Sequence, residues 1–312
     1  MSKWGVLLPQ PIAGKALDLL RSRKEFSVVV LTPQERERVR EFLPQAHALI
    51  VRSGFKVDRE ILDHAPKLQV ICRAGVGLDN IDVEYARERG VQVFNVPGGN
   101  VSSVAEHTIA LLLALAKSLF FYDRRTREGD WGIRHSYKAI EVAGKILGLV
   151  GFGTIGREVA RLALSLGLKV LFYDPFVEGE TFSQAEKKAD LFELLSQSDF
   201  VSLHVPLTKD TRHLIAEREL RLMKREAFLI NVSRGAVVDE EALFKALQEG
   251  WIAGAALDVF CNEPPSKDSP LFSLENVVVT PHVAGLTRES AERVALRAVE
   301  KVIEFFSERR GE

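Results

Sequence analysis

Ile146-Leu147-Gly148-Leu149-Val150-Gly151-Phe152-Gly153-Thr154-Ile155-Gly156 joins an apolar strand to a helix through three glycines. The residues that follow, Arg157-Glu158-Val159-Ala160-Arg161-Leu162, have the apolar spacing of a helix. In this context Gly151 permits a tight turn, Gly153 lets a pyrophosphate approach the backbone, and Gly156 lets helix and strand pack closely. The helix N-terminus attracts the negative charge. Eighteen residues after Gly156, at the end of the next strand-like run, stands Asp174. A carboxylate there accepts from the adenosine ribose hydroxyls and repels a 2′-phosphate, and Pro175-Phe176-Val177-Glu178 carries no cation to hold one. The expected cofactor is NAD rather than NADP.

Outward from this loop, strand-like runs at 146–150, 169–173, 200–204, 228–231, 253–257 and 277–280 alternate with helical patterns. Six such strands match the dinucleotide-binding fold. Upstream lies a second βα series, with strands at 6–8, 27–31, 48–51, 69–72 and 91–94 and helices at 14–23, 33–42, 58–64 and 83–89. The turn-rich Asn95-Val96-Pro97-Gly98-Gly99-Asn100 separates the two series. The expected fold is therefore α/β, with two doubly wound parallel-sheet domains. A helix at about 103–120, capped by Ser102 or Ser103 with Glu106 as capping-box partner, is apolar on nearly every face. Such a helix must be buried all round, inside its own domain or partly against a second subunit. The last helix, 289–308, has no strand after it and is free to cross back onto the first domain.

A chain of 312 residues with 46% hydrophobic content is long enough for two or three packed cores. Its 42 Lys and Arg against 43 Asp and Glu leave a net charge of −1, so no overall field recruits nucleic acid or an acidic membrane, and neither partner is expected. The apolar run 108–116 is too short to span a bilayer, and the run before Gln10-Pro11 is too short for a signal-peptide core. Cys72 and Cys261 are far apart at the ends of strand-like runs, as suits reduced thiols in the cytoplasm, and two cysteines alone make no zinc site. No metal is expected.

Ligands of open α/β sheets lie beyond the carboxyl ends of the strands. There this chain places Val232-Ser233-Arg234-Gly235, Asp258 followed by Glu263, and Pro281-His282. Hydride transfer between a carbinol and nicotinamide needs a group that takes and returns the hydroxyl proton, and His282 suits that task. Glu263 beside it would favour the imidazolium, raising its pKa by about 1–3 units for a close partner. Arg234 offers a planar fork for a substrate carboxylate and carbonyl. His47, His64 and His213 read as structural, and His204, ending a strand, as a backbone support for cofactor. His107 and His135 stay open as substrate contacts.

These residues resemble the NAD-dependent D-isomer-specific 2-hydroxyacid dehydrogenases over essentially the whole chain. The resemblance rests on Val51-Arg52-Ser53, on Cys72-Arg73-Ala74-Gly75-Val76-Gly77-Leu78-Asp79-Asn80-Ile81-Asp82 and on the glycine loop. It rests further on Asn231 to Gly235, Leu257 to Phe260 through Glu263-Pro264-Pro265, and Pro281-His282. It implies a catalytic trio of Arg234, Glu263 and His282, with Asp258 holding the nicotinamide carboxamide. It also implies a cofactor lining of Val76, Gly151, Gly153, Thr154, Ile155, Gly156, Asp174, Val205, Pro206, Val232, Ser233, Val283, Ala284 and Gly285, together with Arg234 and His282. The substrate carboxylate would meet the Gly75-Val76-Gly77 backbone, with Arg52, Ser53, Arg73, Arg234 and His282 around the small-molecule 2-hydroxy or 2-oxo acid.

The family's architecture implies a Rossmann-type NAD domain at 99–285, inserted into a flavodoxin-like substrate domain made of 1–98 and 286–312. It also implies a homodimer formed through the NAD domain. Within the family the likeness is nearest to the phosphoglycerate-oxidising branch, implying conversion of 3-phosphoglycerate to 3-phosphohydroxypyruvate in serine biosynthesis. Arg52, Arg73 and Arg134 are the cations placed for a phosphate. Members of that branch often carry C-terminal serine-binding modules, and feedback through one is not expected of this chain. A glyoxylate or hydroxypyruvate reductase is the alternative substrate reading. An NAD-sensing corepressor is a binding-protein alternative, and a formate dehydrogenase would have glutamine where Glu263 stands.

Overall fold

A computed structural model describes residues 3–178 and 184–309. The outermost residues of the expected substrate domain, 1–2 and 310–312, lie outside the described residues. The chain divides into two compact units, Met1–Asn100 with Gly285–Glu312, and Val101–Ala284.

The first unit holds five parallel strands: β1 (Trp4–Leu8), β2 (Phe26–Val30), β3 (Ala48–Val51), β4 (Val70–Arg73) and β5 (Gln92–Phe94). Their spatial order is β2-β1-β3-β4-β5, the flavodoxin-like order. The central strands are apolar and buried on both faces, as parallel sheets require. One face is covered by the helix Gly14–Ser22 together with the C-terminal helix Arg288–Glu308, whose Val294, Ala298, Val299, Val302, Phe305 and Phe306 complete that core. The other face packs Leu43, Leu49, Ile71, Leu62 and Ala86 into a second core.

The second unit holds seven parallel strands: β6 (Ile146–Val150), β7 (Lys169–Tyr173), β8 (Ala185–Lys187), β9 (Phe200–Leu203), β10 (Phe228–Asn231), β11 (Gly254–Leu257) and β12 (Val277–Val279). The order β12-β11-β10-β9-β6-β7-β8 reverses between β6 and β9, which is the Rossmann switch point. Seven strands replace the six expected. The addition is β8, whose Ala-Glu-Lys sequence is largely exposed and has none of the β-branched or aromatic residues that mark a strand.

The expected helix at 103–120 is also corrected. It spans Val101–Ala116, breaks at Lys117 and Ser118, where Ser118 has φ 48°, and resumes 59° away as Leu119–Arg127. Ser102 and Ser103 lie inside the helix rather than capping it, and the Ser103 hydroxyl donates to the Ala284 carbonyl instead (2.6 Å). Ten of the sixteen residues of the first segment are buried within the unit, whereas Leu119 and Phe120, expected in the buried face, are each 56% exposed. Among the described residues no single helix is long and apolar enough to cross a membrane.

Candidate active site

Gly151 takes φ 92°, and a Cβ there would lie 2.6 Å from the His204 carbonyl oxygen, so the turn after β6 admits only glycine. A Cβ on Gly156 would meet the Gly151 carbonyl at 2.4 Å, whereas one on Gly153 would project into open space. The helix Thr154–Ser165 starts with no side-chain cap, leaving its first amides turned toward that space. An open cradle with uncapped amides at a helix N-terminus fits a dinucleotide pyrophosphate. Asp174, at the end of β7, accepts from the Phe152 amide (2.8 Å) and the Phe176 amide (2.9 Å). Its carboxylate therefore ties the glycine turn to β7 and still has acceptor positions for ribose hydroxyls, since a carboxylate has about four.

Across the switch point, His204 follows β9 with Nε2 against Ser202 Oγ (2.9 Å). Burial pulls its pKa down to about 4, so the ring is uncharged at neutral pH and unsuited to serve as an acid. Val205 and Pro206 come next, the Pro206 carbonyl accepting from the Thr211 hydroxyl (2.6 Å).

Three loops converge at the ends of β10, β11 and β12. After β10, the buried Asn231 folds its loop back: Nδ2 donates to the Arg234 carbonyl (2.9 Å), and Oδ1 accepts from the Ser233 amide (3.0 Å) and hydroxyl (2.9 Å). Gly235 then touches the neighbouring loop so closely that a Cβ would lie 1.9 Å from the Phe260 carbonyl carbon. That approach sets the Arg234 loop beside the loop bearing Glu263. Glu263 Oε1 accepts from the Phe260 amide (3.2 Å), and Oε2 faces His282 Nδ1 at 2.6 Å. Burial pushes the Glu263 carboxyl up. The hydrogen bond and charge of His282, the Phe260 amide and the Arg234 charge outweigh it and hold the pKa below the ordinary value. A carboxylate only accepts, so Nδ1 donates and Nε2 is the atom left to exchange a proton with a ligand.

Asp258, the expected carboxamide holder, is fully buried. Its Oδ1 accepts from the Thr280 hydroxyl (2.5 Å) and the Val283 amide (2.9 Å), its Oδ2 from the Ala284 amide (2.9 Å), and its carbonyl from the His282 amide (2.8 Å). One acceptor direction remains on Oδ2. In this knot His282 adopts φ 54°, a left-handed conformation that histidine tolerates better than most residues.

The other residues expected around the substrate, Arg134, His107 and His135 apart, belong to the first unit. Arg52 follows β3, with Nη1 3.4 Å from the Pro11 carbonyl, and Asn80 Nδ2 pins the Arg52 and Phe55 carbonyls (3.0 and 2.6 Å). Ser53 is exposed in the same turn. Arg73 ends β4, and its guanidinium lies where a side chain on Gly75 would stand. Asn95 Nδ2 holds the Val76 carbonyl (2.6 Å) between Gly75 and Gly77. Gly285 packs on Asn100. Arg134 and His135 sit in the exposed turn Trp131–Ser136 of the second unit, and His107 contacts Thr280 (3.1 Å). Ser103, Asn80, Asn95 and Thr280 also help to build the candidate site, and no local sequence pattern marks them for it.

The family described as "D-isomer specific 2-hydroxyacid dehydrogenase, NAD binding domain" matches residues 109–284. The chain is 44% identical over 299 residues to D-3-phosphoglycerate dehydrogenase of Archaeoglobus fulgidus, covering 96% of this chain and 56% of that protein. It is 41% identical to hydroxypyruvate reductase of Thermotoga maritima, covering 97% of this chain and 98% of that protein. It thus spans about half the length of the first relative and nearly all of the second. Among solved structures, the TT0316 protein of Thermus thermophilus superposes with a TM-score of 0.87 at 39% identity, over 95% of this chain and 94% of that one. D-lactate dehydrogenase of Aquifex aeolicus, complexed with NAD and lactic acid, gives 0.84 at 32% identity over 97% and 95%.

Proposed function

Because the chain belongs to the D-isomer-specific 2-hydroxyacid dehydrogenase family, with its NAD-binding domain, we propose that it interconverts 3-phosphoglycerate and 3-phosphohydroxypyruvate, a reaction of serine biosynthesis. The observation that carries the proton-transfer part is the 2.6 Å contact between His282 Nδ1 and Glu263 Oε2. NAD, when bound, supplies or accepts the hydride. In oxidation His282 Nε2 takes the substrate hydroxyl proton while Glu263 balances the imidazolium, and in reduction the proton returns to the carbonyl oxygen. Arg234 holds the substrate carboxylate and polarises the carbonyl with its fork. Thr154, Ile155 and Asp174 hold the pyrophosphate and ribose, and Val76, Val205, Pro206, Val232, Ser233 and Val283 to Gly285 line the cofactor. Asp258, fully buried, orders the loop of His282 through the Thr280 hydroxyl and the Val283 and Ala284 amides.

In the first unit, the Gly75 to Gly77 amides receive the carboxylate, and Arg52, Ser53 and Arg73 receive the phosphate. Their places after β3 and β4, beside the switch point between β1 and β3, support that role. The second reading is a hydroxypyruvate reductase, favoured by 41% identity across 98% of the Thermotoga maritima enzyme. With NADH, kcat/KM for phosphohydroxypyruvate above that for hydroxypyruvate supports the first reading, and the reverse order supports the second. Arg52→Ala removes a charge-assisted bond of about 1.5–3 kcal/mol and should cost roughly 10–150-fold in kcat/KM for the phosphorylated acid. The unphosphorylated acid should be nearly indifferent.

The second unit also exposes Leu119 (56%), Phe120 (56%), Trp131 (69%) and Tyr137 (82%) in one stretch of chain, which fits a homodimer formed through this unit. Cys72 and Cys261 are both free thiols, as suits a cytoplasmic enzyme.

A further inference from the structure

Ser103 and His107 stand four residues apart, on one face of the buried helix Val101–Ala116. Each reaches the segment 280–284 that carries His282. Ser103 Oγ donates to the Ala284 carbonyl at one end (2.6 Å), and His107 Nε2 lies 3.1 Å from Thr280 Oγ1 at the other. Between them Asp258 binds the Thr280 hydroxyl and the Val283 and Ala284 amides from a fully buried position.

The direction of these bonds follows from proton counting. Thr280 has one hydroxyl hydrogen, and it goes to Asp258 Oδ1 at 2.5 Å, where a carboxylate can only accept. Thr280 Oγ1 must then accept from His107, so His107 Nε2 carries a hydrogen in this bond. The chain of donors runs from His107 to Thr280 to Asp258, and Asp258 in turn fixes the two amides that follow His282. His107 Nε2 lies 3.6 Å from Asp258 Oδ1, within reach of the same buried charge.

We propose that His107, outside the trio, is a positioning residue for His282, acting through Thr280 and Asp258. The left-handed backbone of His282 persists because the loop is held at both ends and from beneath. Without the His107 hydrogen, Thr280 Oγ1 loses the partner that aims its hydroxyl at Asp258, and the loop is free to turn His282 Nε2 away from its working direction. This inference rests on the role proposed for His282, so its test has one arm that does not need turnover.

That arm is amide hydrogen exchange across 280–284 in wild type, His107→Leu, His107→Gln and Thr280→Val. Leucine should speed exchange of the Val283 and Ala284 amides at least about tenfold, and glutamine, which keeps a donor at that reach, should restore most of the protection. The second arm is steady-state reduction with NADH. His107→Leu should lower kcat on the order of 10–100-fold while KM for the 2-oxo acid stays within about twofold, because orientation and not binding is lost. The double variant His107→Leu/Thr280→Val should be no slower than the slower single variant, since both break one chain.

Unchanged exchange in His107→Leu, unchanged kcat despite faster exchange, or fully additive losses would each overturn the proposal. Should wild type reduce no 2-oxo acid, the proposed function fails and the exchange arm alone decides the positioning. Should His107→Leu not fold, Thr280→Val, which swaps a hydroxyl for a methyl of like shape, must show the same two effects.

Discussion

His282 gives its Nδ1 hydrogen to Glu263, and that contact, with the Phe260 amide and the Arg234 charge, sets how Glu263 responds to pH. The Glu263 carboxyl has its pKa depressed in the fold. Its stabilising contribution is therefore fully present above the ordinary value of 4.5 and is lost as pH falls through the depressed value. Glu263→Gln should accordingly differ from wild type in thermal stability at pH 7, and the difference should shrink as pH falls below the ordinary carboxyl value of 4.5. In reduction assays Glu263→Gln should lower kcat on the order of tenfold or more, because the carboxylate that faces His282 Nδ1 is lost. An unchanged kcat would remove Glu263 from proton transfer. Asp174 calls for two variants, since its carboxylate holds the Phe152 amide as well as facing the cradle. Asp174→Asn keeps an acceptor but loses the charge, and should narrow the preference for NAD over NADP by about tenfold or more, whereas Asp174→Ala should weaken both cofactors. Titration by NADH and NADPH fluorescence distinguishes these. Arg234, Glu263 and His282 were legible because chemistry follows strand ends in this kind of sheet. Ser103, Asn80 and Asn95 were not, because each side chain bonds backbone across 15 or more residues and leaves no local pattern.

At the scale of elements, strands rich in Val, Ile and Leu and helices with a clear apolar stripe were read to within a few residues. The failures share a cause. β8 is an edge strand held by its pairing with β7 rather than by its own composition, and the break at Lys117 and Ser118 interrupts an apolar pattern that continues across it. Loop contacts are equally invisible in sequence, and the approach of Gly235 to Phe260 is the one on which the site depends. Gly235→Ala must push the Arg234 loop away from the Glu263 loop. It should cost about 1–3 kcal/mol or more of stability by overpacking, and should lower kcat more than it raises KM for NADH. Chemical denaturation and steady-state kinetics on the same preparation check both; a variant with wild-type turnover would show that the two loops are independent.

For the whole molecule, the decisive fact is that each unit has its own cores, so unfolding need not be a single transition. Phe306, 1% exposed, stacks on Trp4 at 4.7 Å and meets Phe26 edge-on at 5.7 Å, all in the first unit. Phe306→Ala should remove about 3–5 kcal/mol from that unit alone. The expected outcome is a two-step melt in which tryptophan signal from Trp4 changes first, while NADH binding by the second unit survives to the later step. One coincident transition, shifted as a whole, would show instead that the units unfold together. The return of the helix Arg288–Glu308 onto the sheet of the first hundred residues has a consequence during synthesis. That sheet leaves the ribosome with the face under that helix covered only by the helix Gly14–Ser22, and nearly 200 further residues follow before the rest of its cover exists. At about 5–20 residues per second the delay is on the order of 10–40 s. The inserted unit, continuous in sequence, can be complete before the unit that precedes it. Until the helix Arg288–Glu308 is made, the apolar residues that it covers in the N-terminal sheet stay exposed to water and open to wrong contacts.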